Sequence, residues 1–279
     1  MLNPLLIALA IAASVAGPGM VRIPRGEFLM GDNAGDDDSR PAHPVTLDAY
    51  DIGANEVTNE EYARFVKATG HRSPRVYALP SAVTPERAEG FRRLGARFSW
   101  TGDTPPAGKE KHPVVLVAFE DAVAYCAWLS KETGATYRLP TEAEWEKAAR
   151  MGAKGKRPWG DDIDPSRANY LLRAEDKEQS STKPVGSYPP TSSGLYDIVG
   201  NAWEWVSDFY APYAAGAVTN PRGPDSGAQR IVRGGAWLDN ELELLVLSHR
   251  HEAAADIYSY SIGFRLVREV KGAKQGGGL

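Results

Sequence analysis

The stretch from Gly194 to Asp208 constrains this chain more than any other. It sets three aromatics, Tyr196, Trp203 and Trp205, beside three acids, Asp197, Glu204 and Asp208, with Ile198 and Val199 between them. A solvated loop would not carry so many large apolar groups, because exposing them to water costs free energy. An ordinary core strand would not carry three carboxylates, because each buried charge needs a partner. Two arrangements satisfy both facts. In one, a cation sits in the segment: Asp and Glu side chains with backbone carbonyls make the hard-oxygen shell that calcium prefers, and Gly200 lets the backbone turn sharply. In the other, a buried strand pairs its acids with arginines or backbone N–H groups.

The rest of the chain reads as one globular unit rich in turns. Its 279 residues allow one large domain or two small ones, and no internal repeat divides them. A net charge of −4 disfavours a nucleic-acid partner or a basic membrane surface. The single cysteine, Cys126, cannot form an intrachain disulfide. It falls at helical spacing in an apolar stripe, Ala122, Val123, Cys126 and Leu129, which makes it an inert core thiol.

Residues 1–19 read as a signal peptide. Leu5 to Val15 is an apolar run of h-region length, too short to span a bilayer, and Ser14-Val15-Ala16 fits a small-x-small cleavage site. The expectation is an exported protein, periplasmic or extracellular, with no further membrane span; if Met20 is the true start, it is cytoplasmic. Residues 269–279 end in a polar, Gly-rich run expected to be disordered.

Between these ends, Val21 to Met30 predicts a short hairpin around Pro24 and Gly26, and Pro44 to Ile52 a strand. Asp32 to Arg40 reads as a solvated acidic loop. Thr58-Asn-Glu-Glu61 and Thr141-Glu-Ala-Glu144 are capping boxes that start helices, the first burying Tyr62, Phe65 and Val66, the second Trp145, Ala148 and Ala149. Residues 71–111 predict a long surface loop with a short helical piece near Pro85 to Arg93. His112 to Phe119 reads as a buried strand leading into a helix over 120–133, and Ser261 to Val267 as the last strand. Gly234-Gly235 lets the backbone turn tightly beside something large.

The blocks in order resemble one family. Val21-x-Ile-Pro-x-Gly-x-Phe-x-Met-Gly31, Glu56-Val-Thr-Asn-x-Glu-Tyr62, His112-Pro-Val114, Arg138-Leu-Pro-Thr-Glu-Ala-Glu-Trp145, Gly194-Leu-Tyr-x-Ile-Val-Gly-Asn-x-Trp-Glu-Trp205, Arg233-Gly-Gly235 and Ile262-Gly-Phe-Arg265 are similar to those of the sulfatase-modifying factors, whose best-known member is the formylglycine-generating enzyme. The resemblance covers residues 20–268. It implies a single compact α+β domain, low in regular structure and related to the C-type lectin fold.

It also implies metal ligands. At one calcium site they fall on Asp197 and Glu204 through side chains, and on Gly200 and Ala202 through carbonyls. A second site begins at Asn169 and Tyr170, but its later positions, near Asp176 to Gln179, depart from the pattern. The catalytic chemistry does not carry over. Formylglycine-generating enzymes hold copper(I) on two cysteines, for which soft thiolates suit; here those positions fall on Asp239 and near Leu244, and the pocket serine becomes Ala236.

Near that pocket stand His249-Arg-His251-Glu252 and Trp203. His-x-His with a carboxylate could hold iron or zinc; the alternative is that Arg250 is the buried structural residue and the histidines flank it in solvent. The candidate pocket is therefore Trp203, Ala236, Asp239, His249 and His251, with copper disfavoured. Three functions compete: a family member with a non-formylglycine role, in oxidative tailoring or as an envelope accessory; a lectin-like module binding a small molecule or protein through Trp237 to Ser261; and a formylglycine generator by another mechanism.

Overall fold

Both capping boxes form as the sequence predicts. Thr58 and Thr141 each accept from the backbone N–H three residues on, while Glu61 and Glu144 reach back. They start α1 (Asn59–Thr69), and α4 (Glu142–Arg150). Between them lie α2 (Ala88–Ala96) and α3 (Phe119–Thr133). Gly70 and Gly134 end α1 and α3 in the left-handed conformation that glycine adopts at least cost. The computed structural model describes residues 19–270; the expected leader and Gly-rich tail lie outside that range, Gly19, Glu269 and Val270 apart.

Among the described residues the strands are short and form three sheets. β1 (Met20–Ile23), β4 (Tyr50–Gly53), β5 (Tyr137–Arg138) and β11 (Val267–Glu269) make one, in the order β1-β4-β11-β5. β6 (Trp203–Phe209), β8 (Gln229–Arg233), β9 (His251–Ala254) and β10 (Ile262–Gly263) make the second, in the order β10-β6-β8-β9. β2 (Gly26–Met30), β3 (His43–Leu47) and β7 (Val218–Thr219) make the third. The first sheet pairs the two ends of the described chain through β4 and β11. No cut between the matching blocks would leave that sheet whole, so the molecule is a single compact α+β domain.

Several local expectations are corrected. Val21 to Met30 is not a hairpin: β1 pairs with β4 and β2 with β3, because the chain bends at Pro24 and sends its halves to different sheets. The strand expected over Pro44 to Ile52 is likewise two strands in two sheets, and Ser261 to Val267 splits into β10 and the start of β11. His112 to Phe119 is buried as expected but irregular; Leu116 has a φ of 61°, which no strand accommodates. On α3, Val123 is 39% exposed, whereas Tyr125 and Trp128 face inward. Residues 71–111 are more than a surface loop, because Phe91, Phe98 and Trp100 are buried.

The main core joins α1, α3 and the second sheet. Tyr62 stacks on Tyr125 at 5.6 Å, and both meet Phe264 edge-on. Trp145, Trp205 and Trp237 have no exposed surface. These tryptophans fix the backbone around the polar groups described next.

Candidate functional site

The acids of the central stretch end in different environments. Glu204 lies on β6, and Arg265 follows β10, the parallel neighbour in which Gly263 is in register with Glu204. The two make a buried two-pronged pair: Arg265 Nε donates to Glu204 Oε2 and Nη2 to Oε1, each at 2.6 Å. Trp145 Nε1 donates to Oε2 at 2.8 Å. Arg265 also reaches the carbonyls of Gly53 and Tyr196, both at 3.0 Å.

Asp197 and Glu56 stand beside this pair and are less well satisfied. Asp197 has a φ of 53°, and its Oδ2 accepts from Gly186 N at 2.7 Å; its Oδ1 is buried without a partner. Glu56 Oε1 accepts from Asn201 Nδ2 at 2.9 Å, while its Oε2, and Asn55 Oδ1, are also buried and unpartnered. Burial pushes the Asp197 carboxyl up to about 6, although the Gly186 N–H and Arg265 oppose the rise. Burial, then the charges of Asp197 and Glu204, hold Glu56 well above the usual carboxylate range. Three carboxyl groups thus share one guanidinium.

These facts test the calcium ligands inferred from the sequence. Asp197 fits: it presents a buried, unmatched hard oxygen. Glu204 is committed to Arg265 and Trp145. Gly200, at φ 81°, is pressed against Asn169, whose carbonyl oxygen would stand 2.4 Å from an added Cβ, and Ala202 is fully buried. The unmatched oxygens of Glu56 and Asn55 were not singled out from the sequence, since Glu56 belongs to a block that reads only as the approach to a capping box. At the second inferred site, the Asn169 amide donates to the Ser181 carbonyl at 2.9 Å and to Asn201 Oδ1 at 3.1 Å. Tyr170 is half-buried beside it. Lys177 falls in the one-turn helix Ala174–Glu178, where the later ligands were expected.

The five pocket residues do come together. The Trp203 ring lies 5.8 Å from His249 and 5.1 Å from His251, and the imidazoles stack at 6.4 Å. Asp239 Oδ2 accepts from Ala236 N at 2.7 Å, and the Trp203 side chain lies close enough to oppose the rise of its carboxyl. Burial pushes the Asp239 carboxyl up to about 6. His249 Nδ1 lies 3.0 Å from Asp36 Oδ2, and its Nε2 is buried without a partner. Burial lowers the half-buried His249, against the pull of Asp36; the more exposed His251 is lowered by partial desolvation and by His249. Asp36, from the acidic loop, was not anticipated as a partner. Among the described residues, no three His, Cys, Asp or Glu side chains converge as a metal-holding group.

Between the histidines, Arg250 points the other way into the core, as the structural alternative predicted, and His251 is exposed, but His249 is half-buried and not in solvent. Its guanidinium donates to both Glu142 oxygens at 2.7 and 2.9 Å. Arg233 bridges Glu142 and Glu146 at 3.2 and 2.5 Å, and Glu146 also accepts from Arg150 Nε and Gly31 N. Every oxygen of these two buried acids has a donor. Cys126 is buried in α3, and burial pushes its thiol up to about 12, which leaves it protonated and inert.

Residues 8–270 match the sulfatase-modifying factor enzyme 1-like domain. The chain is 38% identical to the formylglycine-generating enzyme of Streptomyces coelicolor, over 90% of this chain and 89% of that one. It is 35% identical to the inactive C-alpha-formylglycine-generating enzyme 2 of Mus musculus, over 80% and 75%. It is 36% identical to the serine/threonine-protein kinase Pkn1 of Chlamydia trachomatis, of whose length it spans only 38%. The solved structure of PvdO from Pseudomonas aeruginosa superposes with a TM-score of 0.73 at 30% identity, over 91% of this chain and 95% of that one. The chain belongs to the sulfatase-modifying factor family.

Proposed function

We propose that this protein is an exported member of the family that does not generate formylglycine, and that it works through the pocket of Trp203, Ala236, Asp239, His249 and His251. Oxidative tailoring of a small molecule and an envelope accessory task are the roles that suit it. One observation carries the reading. Asp239, where the family resemblance places the first copper-binding cysteine, is tied to Ala236 N beside Trp203 and carries a hard oxygen. Leu244, at the second position, has no donor atom, and the chain's sole cysteine is sealed in α3. Copper(I) prefers two soft thiolates and would be weakly held here. A relative of comparable identity carries the name of an inactive formylglycine-generating enzyme, which fits the same reading.

Calcium belongs to the proposal as a structural ion. Asp197 Oδ1, Glu56 Oε2 and Asn55 Oδ1 are the oxygens that would hold it, and it would supply positive charge where three acids meet one arginine. Glu204 would orient Arg265 rather than bind the ion.

The deciding assay is mass spectrometry of a Cys-x-Pro-x-Arg peptide after incubation with protein, copper, reductant and oxygen. No mass loss at the cysteine is expected. Multiple turnovers to formylglycine would overturn the proposal and restore the oxidase reading.

A further inference from the structure

The third acid of the central stretch, Asp208, takes no part in either site above. It stands at the base of a separate groove of about 400 Å³, within the range of small-molecule pockets. The walls are mostly apolar: Met30, Ala143, Pro212, Val218, Pro221 and Pro224. The polar groups at the base form an unbalanced set. Asp208 is buried, and its Oδ2 accepts from Glu142 N at 2.9 Å and Ser207 Oγ at 3.1 Å. Among the described residues, no donor reaches its Oδ1. His43 lies 2.9 Å from the Pro41 carbonyl through Nδ1. A carbonyl only accepts, so that nitrogen holds a proton, and in the neutral ring Nε2 is the acceptor.

Among the described residues none of the nearby cations donates to Asp208, although Arg230 keeps a buried Nε without a partner. Arg250 gives its N–H groups to Glu142 and to the carbonyls of Asp38 and Ala211. Arg230 donates to the Ser207 carbonyl at 2.7 Å and packs its guanidinium against Phe119 and Phe209. Arg222 is exposed at the rim, where water screens it. The Tyr213 hydroxyl, buried and unpartnered, lies close to Glu142 and Glu146. The groove thus offers open acceptors in an apolar enclosure.

We propose that this groove is a second ligand site, which takes a small organic cation: a primary ammonium, seated on Asp208 Oδ1 and His43 Nε2, with an apolar body along the proline-rich wall. An ammonium brings three donors and no acceptor, the complement of the base. Burial, then the charge of Glu142 and to a lesser extent of Glu144, push the Asp208 carboxyl up to about 7. Ammonium binding needs the ionised form, so affinity rises with pH, by about tenfold between pH 6 and pH 8.

Calorimetric titration with phenethylammonium, phenethyl alcohol and phenylacetate tests this. The ammonium is expected to bind best, more tightly at the higher pH, with Asp208→Asn removing both the binding advantage and the pH dependence. Asparagine can still accept from Glu142 N, so that variant should melt near the parent. Val218→Trp, which fills the groove from its wall, should abolish binding and guards against a folding artefact. No saturable binding of the ammonium, equal binding of the three probes, or an unchanged Asp208→Asn would overturn the proposal.

Discussion

Two buried arginine–carboxylate networks among the described residues differ in closure. Around Arg233 and Arg250, two acids meet three guanidinium groups, counting Arg150, and every acid oxygen has a donor. Around Arg265, three acids meet one guanidinium, and buried oxygens of Glu56 and Asp197 have none. Buried polar groups are nearly always satisfied in native proteins. In the first network the acids are fully matched, although Arg233 Nε is buried without an acceptor, whereas the second leaves two buried acid oxygens without a donor. Titration separates them as well. Burial alone would raise Glu146, but Arg233 and Arg150 hold it below its ordinary value, whereas Glu56 and Asp197 are held above theirs.

The largest expected effect breaks the closed network. Arg233→Ala leaves Glu146 Oε2 buried without a donor and takes one of two guanidinium groups from Glu142, and loss of one partner of a buried pair costs about 3–5 kcal/mol. The denaturant midpoint should fall accordingly; a shift below about 1 kcal/mol would show that the network relaxes, and would erase the contrast.

Next in size is calcium at the open network. A ligand bound only by the native state adds about 2.7 kcal/mol at a hundredfold excess over its Kd. Thermal melts with calcium should exceed those with chelator, and Asp197→Ala and Glu56→Gln should remove the difference. Glu204→Gln should lower both melts alike while keeping the difference. Coincident parent melts would remove the ion from the account.

The pH dependence should be of opposite sign in the two networks. In chelator, native Asp197, with its carboxyl at about 6, binds a proton more readily than the unfolded chain does. The stability it contributes is thus present at low pH and lost as pH rises from about 4 through about 6. Glu146, being depressed, contributes stability above its unfolded value and loses it as pH falls. Urea midpoints from pH 3 to 8 should dome in chelator, and calcium should flatten only the alkaline side. A profile that rises throughout would contradict the Asp197 assignment.

The smallest effect is at Cys126. Cys126→Ser leaves a hydroxyl in an apolar stripe and should destabilise by about 1 kcal/mol. The native thiol should resist alkylation until the protein unfolds; fast native labelling would show that it is neither buried nor inert.

Much of the helical frame was legible because capping boxes and apolar periodicity are local signals. The family was legible because its blocks keep their order. Strand partners were not. Nothing within residues 21–30 indicates that β1 and β2 join different sheets, since pairing is decided by β3 and β4 downstream. Arg250 as a core residue was anticipated as one of two readings; the Asp36 partner of His249 was not, because the two lie 213 positions apart.

The same division holds at the central stretch. By itself the sequence determined that Asp197, Glu204 and Asp208 would be buried beside aromatics and would need partners, because apolar groups at that density cannot stay in water. Tertiary structure alone decided which partner each received: Arg265 and Trp145 for Glu204, a single N–H for Asp197, a helix start and an open groove for Asp208. Burial follows from local composition, but neutralisation needs a group within hydrogen-bond reach, and those groups arrive from distant parts of the chain.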